Sequence, residues 1–279
     1  MSSEAIANPL AKHFRQAEVH FKLPSKGKYW PEGSLDMPVT GELPVYPMTS
    51  KDEIILKTPD ALMNGSSVAT VIQSCCPNIK DPWMTPAVDV DALLIAIRIA
   101  SYGNEMEITC TCPACNDVSD YEINLPAILD TIKCPDYSKP VEAGGLKIHL
   151  KPQCYKDVER AAQIKFQEQQ LLRTITNENL PDTEKAKRFD QHLSSFVDLS
   201  IESLASSTSG ITDGDGVTVT KKEFIVEFYK NCDAKIIKQV NTALTELAMQ
   251  DVQKQTVTCP SCNHQYDASV EFNAANFFA

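Results

Sequence analysis

Two short cysteine patterns carry the clearest chemistry in this chain. Cys112-Pro113-Ala114-Cys115-Asn116 and Cys259-Pro260-Ser261-Cys262-Asn263 are copies of one motif, and a tyrosine follows each, Tyr121 and Tyr266. In Cys-Pro-x-Cys a tight turn aims two thiolates at one point, and backbone N–H groups around the turn offset their charge. Two such knuckles supply the four sulfurs that a structural Zn²⁺ requires. One knuckle alone is weak evidence; two with matching flanks are strong. The expected ligands are Cys112, Cys115, Cys259 and Cys262, and the expected cofactor is structural Zn²⁺. Four sulfurs leave no open position for water or substrate, so the site should hold the fold rather than catalyse. Cys110 and His264 are spare donors nearby; Cys110 reads as a strand residue.

The remaining candidates are weaker. Cys75 and Cys76 are adjacent at a helix end before Pro77 and read as small buried apolar residues. Cys134, Cys154 and Cys232 have no partner at metal spacing. Asp213-Gly214-Asp215-Gly216 has the look of a calcium loop but lacks the distal Glu, so a hairpin turn is expected. His13, His20, His149, His192 and His264 form no catalytic pairing. No phosphate-cradling glycine loop, nucleophile elbow or zinc-protease motif is present, so no catalytic or cofactor-binding residue is assigned and no enzymatic activity is expected.

Between Cys115 and Cys259 lie 143 residues, far beyond the spacing of a compact zinc site. The metal must therefore join distant parts of the chain. The elements that would position the knuckles read as strands: Glu105–Thr111 and Val118–Leu125 around the first, and Thr256–Thr258 with the segment after Cys262 around the second. Upstream, Val19–Leu23 and Gly41–Pro47 read as short strands, and Pro24–Gly33 as a turn-rich loop. Thr49 or Ser50 caps a helix over Lys51–Lys57, with Glu53 near its third position. Ser66 or Ser67 opens a second helix through Cys75. Asp89–Tyr102 is the clearest helix, with Asp89 or Asp91 at its positive end and Gly103 after it. It is apolar on nearly every face and so should be central and buried. Leu146–Leu150 reads as a strand.

The middle of the chain is helical. Cys154–Ile175 and Pro181–Ser206 read as long helices, the second striped by Ala186, Phe189, Leu193, Phe196, Ser200 and Leu204. Lys221–Cys232 and Asp233–Ala248 continue the pattern, and Ile211–Val219 reads as a hairpin. The fold class is therefore α+β: a small mixed domain with a split zinc ribbon and a long inserted helical module. The expected division is an arm over 1–18, a ribbon-bearing core over 19–152 and 249–279, and a helical insertion with a β-hairpin over 153–248.

Charge narrows the partners. The 279 residues carry a net charge of −11, against general polyanion binding. Asn104–Asp130 holds Glu105, Glu107, Asp117, Asp120, Glu122 and Asp130 without one Lys or Arg, and Cys259–Ala279 also has none. Such a ribbon repels phosphates and suits protein contact. Cys154–His192 has seven basic and seven acidic residues, again suited to a protein surface. No apolar stretch reaches the roughly 20 residues of a membrane span. The start of the chain has no apolar signal region, so the ten cysteines are expected in a reducing cytoplasm. Phe272–Phe278 is aromatic and uncharged: a segment packed on the ribbon or a docking peptide.

One further likeness runs through Leu23-Pro24-Ser25-Lys26-Gly27-Lys28-Tyr29-Trp30-Pro31-Glu32-Gly33, Pro44–Glu53, Met63-Asn64-Gly65, Asp91–Gly103 and the Cys112 knuckle, in that order. The series resembles the T4-type baseplate hub subunit and hub-assembly family of contractile-tailed bacteriophages, over about residues 19–125. The resemblance implies a tail-assembly protein whose partners are other baseplate, hub and tail proteins. It implies a place in the virion, or in the host cytoplasm during assembly. The competing class is a zinc-ribbon regulator that binds polymerase or nucleic acid; the acidic ribbon weighs against nucleic acid.

Overall fold

The structure, a computed structural model, describes residues 8–58, 65–175, 197–249, 254–269 and 277–278. After a 3₁₀ turn over Pro9–His13, the strands β1 (Val19–Phe21) and β2 (Leu43–Val45) pair antiparallel. Helices α1 (Ser50–Leu56), α2 (Ser66–Cys75) and α3 (Ala87–Tyr102) follow, with a 3₁₀ turn over Pro82–Met84 before the last. The hairpin β3 (Glu105–Thr111) and β4 (Val118–Asn124) leads into α4 (Leu125–Thr131). A four-stranded antiparallel sheet joins β5 (Val141–Ala143), β6 (Leu146–Leu150), β7 (Thr208–Thr212) and β8 (Thr218–Val219). Helix α5 (Tyr155–Ile175) and helix α6 (197–206) lie between β6 and β7 in the chain. Then come α7 (Lys222–Asn231), α8 (Ala234–Met249) and the hairpin β9 (Lys254–Thr258) and β10 (Gln265–Ser269). The protein is thus a mixed α and β fold with several small sheets.

Two apolar clusters organise it. The first is built on α3, whose Ala92, Leu93, Ile95, Ala96 and Ile97 are wholly enclosed, together with β1, β2, α2, α4, Tyr155, Phe277 and Phe278. Cutting one of its leucines or isoleucines back to alanine costs about 2–5 kcal/mol. The second gathers Ala143, Ile148, Leu150, Leu204, Ile211, Ile225, Tyr229 and Val240. Strands β5 and β6 therefore share a core with the helices that follow them. The start of α5 is tied to the first cluster: Ala87 N–H donates to Gln153 O and Tyr155 N–H to Thr85 O, each at 2.8 Å, and Trp83 stacks on Tyr155.

The expected central helix begins two residues early, because Pro86 supplies the turn that starts it. Asp89 then does more than favour the positive helix end. It is buried, and it accepts from Ser25 N–H at 2.8 Å, Ser25 Oγ at 2.5 Å and Trp30 Nε1 at 2.8 Å. That carboxylate holds the turn-rich loop, in which Lys26, Gly27 and Tyr29 all have positive φ. Burial holds the Asp89 carboxyl above its usual range, and the bonds from Ser25 and Trp30 offset only part of that rise. At α1, Thr49 caps as expected, but the reciprocal partner is Asp52, not Glu53. Asp52 faces inward because Arg15 reaches it at 3.5 Å while bonding Pro47 O and Ser74 O. This tie fixes the start of the described chain to α1 and α2. The long helix expected over Pro181–Ser206 is described only over 197–206, so the start of its stripe lies outside the described residues. Helix α4, strand β5 and the 3₁₀ turns were not foreseen.

Candidate metal centre

Each knuckle is a hairpin turn with the same internal bonding. Cys112 N–H donates to Asp117 O at 2.8 Å, and Asn116 N–H to Cys112 O at 2.9 Å. In the second, Cys259 N–H donates to His264 O and Asn263 N–H to Cys259 O, both at 2.9 Å. Asn116 and Asn263 share one left-handed backbone angle, φ 57°. Asparagine tolerates that angle better than most residues, which is why it follows the second cysteine in both. The strand registers also match: Thr109 sits opposite Asp120 and donates to it at 2.6 Å, and Thr256 sits opposite Asp267 and donates at 3.0 Å. The two hairpins are therefore copies offset by 147 positions. That offset makes Asp120 the counterpart of Asp267. Tyr121 and Tyr266 are not counterparts; they meet across the pair of hairpins at a ring distance of 6.4 Å, edge to face.

The fold brings all four expected cysteines together. Their sulfurs lie within 4.8 Å of one another. Cys112 Sγ is 3.7 Å from Cys262 Sγ, and Cys115 Sγ is 3.6 Å from Cys259 Sγ. A tetrahedron with metal–sulfur bonds of about 2.3 Å has edges of about 3.8 Å. The donor set and its spacing thus fit one metal ion. Cys112 and Cys259 are buried, while Cys115 and Cys262 face solvent. Desolvation pushes the Cys112 thiol up, but the N–H groups of Cys115 and Ala114, together with the Cys115 and Cys262 thiols, outweigh it and its pKa falls to about 7. Cys115 has the Asp117 N–H to lower it, yet the surrounding thiols push it up to about 12. Four thiols packed this closely cannot all ionise unaided; a bound cation would remove that conflict.

Among the described residues no other group of three or more Cys, His, Asp or Glu is close enough to hold a metal. Cys110 lies in β3, and His264 stacks on Tyr266 at 6.2 Å. Cys75 and Cys76 are buried, and burial raises both thiols. Asp213 accepts from Asp215 N–H and Val217 N–H, as the turn of a hairpin. Two contacts went unforeseen. Ser261 Oγ donates to the Asp117 carboxylate at 2.5 Å, and Arg98 holds Phe277 by its carbonyl and by its ring, 5.3 Å away. Both join residues more than 140 positions apart, a distance at which spacing alone carries no signal.

The family described as T4 bacteriophage base plate protein matches residues 16–279, a span that includes both knuckles and everything between them. The chain belongs to that family. Membership in a baseplate structural family places the protein in the virion tail, among other baseplate and tail proteins, and suggests a non-enzymatic role. No curated protein and no solved structure matches the chain. No helix among the described residues is long and apolar enough to cross a membrane.

Proposed function

We propose that this baseplate protein is a non-catalytic hub or tail-assembly scaffold, stapled by one structural Zn²⁺ on Cys112, Cys115, Cys259 and Cys262. The observation that carries the reading is the four-sulfur cluster in a baseplate-family chain, drawn from two hairpins that the sequence separates widely. Tetrahedral all-sulfur sites suit zinc, which needs no open coordination position when its task is structural. In this reading the ribbon-bearing core, over 19–152 and 249–279, sets orientation. The helical block expected over 153–248 reaches a tail partner. The separate apolar cluster of that block supports it as a module, and that cluster moves the proposed junction upstream to include β5 and β6. Arg15, inside the arm expected over 1–18, is held to Pro47 O and Ser74 O.

Metal analysis of the purified full chain tests the staple: one zinc per chain is expected. Cys112→Ser should release the metal and lower the melting temperature, since site formation and folding are linked. Unchanged metal content and melting in that variant would refute the staple. Finding the chain in purified baseplates, in contact with hub proteins, tests the hub role.

A further inference from the structure

Asp117 occupies an unusual place between the two knuckles. Its backbone carbonyl closes the first turn by accepting from Cys112 N–H. Its side chain accepts from Ser119 Oγ at 3.0 Å, which fixes the carboxylate to the start of β4, and from Ser261 Oγ at 2.5 Å. Ser261 stands between Cys259 and Cys262, so this bond runs from the first knuckle into the turn of the second. By the 147-position offset, the reverse bond would join His264 to Ala114, and alanine has no hydroxyl to donate. A second contact between the hairpins is aromatic: Tyr266, on which His264 stacks, meets Tyr121 edge to face, with the two phenol oxygens 3.4 Å apart. The two hairpins thus hold each other by protein contacts besides the four sulfurs.

We propose that Asp117 and Ser261 are positioning residues for the metal: their bond sets the second knuckle's turn against the first so that four sulfurs converge. The inference rests on the reading of the four cysteines as one metal site. A bond from hydroxyl to carboxylate is charge-assisted and directional, so it sets the rotation of one knuckle about the other before a metal imposes its tetrahedron on the sulfurs. Partners that orient ligands in this way are worth roughly 10- to 100-fold in metal affinity. The acceptor also adds a negative charge beside the cluster, which favours a divalent cation there.

The test uses the full chain with Co²⁺ as a spectroscopic probe and Zn²⁺ in competition with a chelator. Ser261→Ala and Asp117→Ala should each weaken Zn²⁺ binding roughly 10- to 100-fold and shift the Co²⁺ visible bands, with far-ultraviolet dichroism unchanged. The double variant should be no weaker than the worse single one, because the two residues act as a unit. Ser261→Thr, which keeps the hydroxyl, should restore affinity and spectrum. Wild-type affinity and spectrum in Ser261→Ala overturn the positioning role while leaving the metal site standing. So do additive losses in the double variant. Wild-type protein that takes up neither Co²⁺ nor Zn²⁺ overturns the metal reading itself, a separate result.

Discussion

At the scale of single residues, two carboxylates on α3, Asp89 buried and Asp91 half-buried, meet different surroundings. Asp89 is matched by three donors and holds a loop. Asp91, two positions on, is raised by burial alone, to about 6. Its folded pKa lies above that of the unfolded chain, so the unfolded chain releases the proton first as pH rises. Stability therefore falls between about pH 4 and pH 6, and the loss stays in place above that range. Asp91→Asn removes the titration. It should be more stable than the native chain at pH 7.5, by up to about 3 kcal/mol, and equal to it near pH 3. Denaturant melts at the two pH values decide this; an equal gain at both would show that charge is not the cause.

At the scale of elements, Arg15 ties the leading segment to α1 and α2 through Pro47 O, Ser74 and Asp52. Asp52 keeps its bonds from Thr49 and Ser74 without it. Arg15→Ala should therefore cost about 1–3 kcal/mol. It should also open the stretch around Leu10–Phe14 to limited proteolysis, as mass spectrometry of the fragments would show. The elements themselves were legible where one local pattern dominates: the apolar run of α3, the alternation of β3, the Asp-Gly turn before β8. Two were missed although their cause is local. Asp52 rather than Glu53 completes the cap because, with Thr49 as the N-cap, Asp52 is the third helical residue. Helix α4 starts on the proline-containing Asn124-Leu125-Pro126, at the point where alternation suggested a continuing strand. At the candidate centre, the four cysteines that cluster could be read from Cys-Pro-x-Cys, because the turn geometry is local. The Asp117–Ser261 bridge could not, because no local rule pairs residues 144 positions apart.

At the scale of the molecule, the second apolar cluster makes a prediction about autonomy. Strands β5 and β6 bury Ala143, Ile148 and Leu150 against the helical block. Removing only residues 156–248 would leave those strands uncovered. Replacing residues 137–248 with a short linker also takes Tyr155 from the first cluster, so it should yield a less stable chain that still folds, takes up one metal ion and no longer joins its tail partners. A product that folds and still assembles would show that the block only completes the core. A product without metal would show that the two clusters fold as one.

The spacing of the knuckles also changes what a break in the backbone means. Everything between Cys115 and Cys259 belongs to a loop whose two roots are clasped to each other. Cut once inside that loop, the polypeptide becomes two pieces, yet each still carries one knuckle. The pieces stay joined through the sulfur cluster and the Asp117–Ser261 bond. Arg98 on Phe277 adds a third tie, and the β6–β7 ladder a fourth for cuts that fall between those strands. Such a nicked molecule would migrate as two bands when denatured and as one particle when not. Integrity of the assembled protein is thus set less by an unbroken peptide chain than by four sulfur atoms and the ion they could hold.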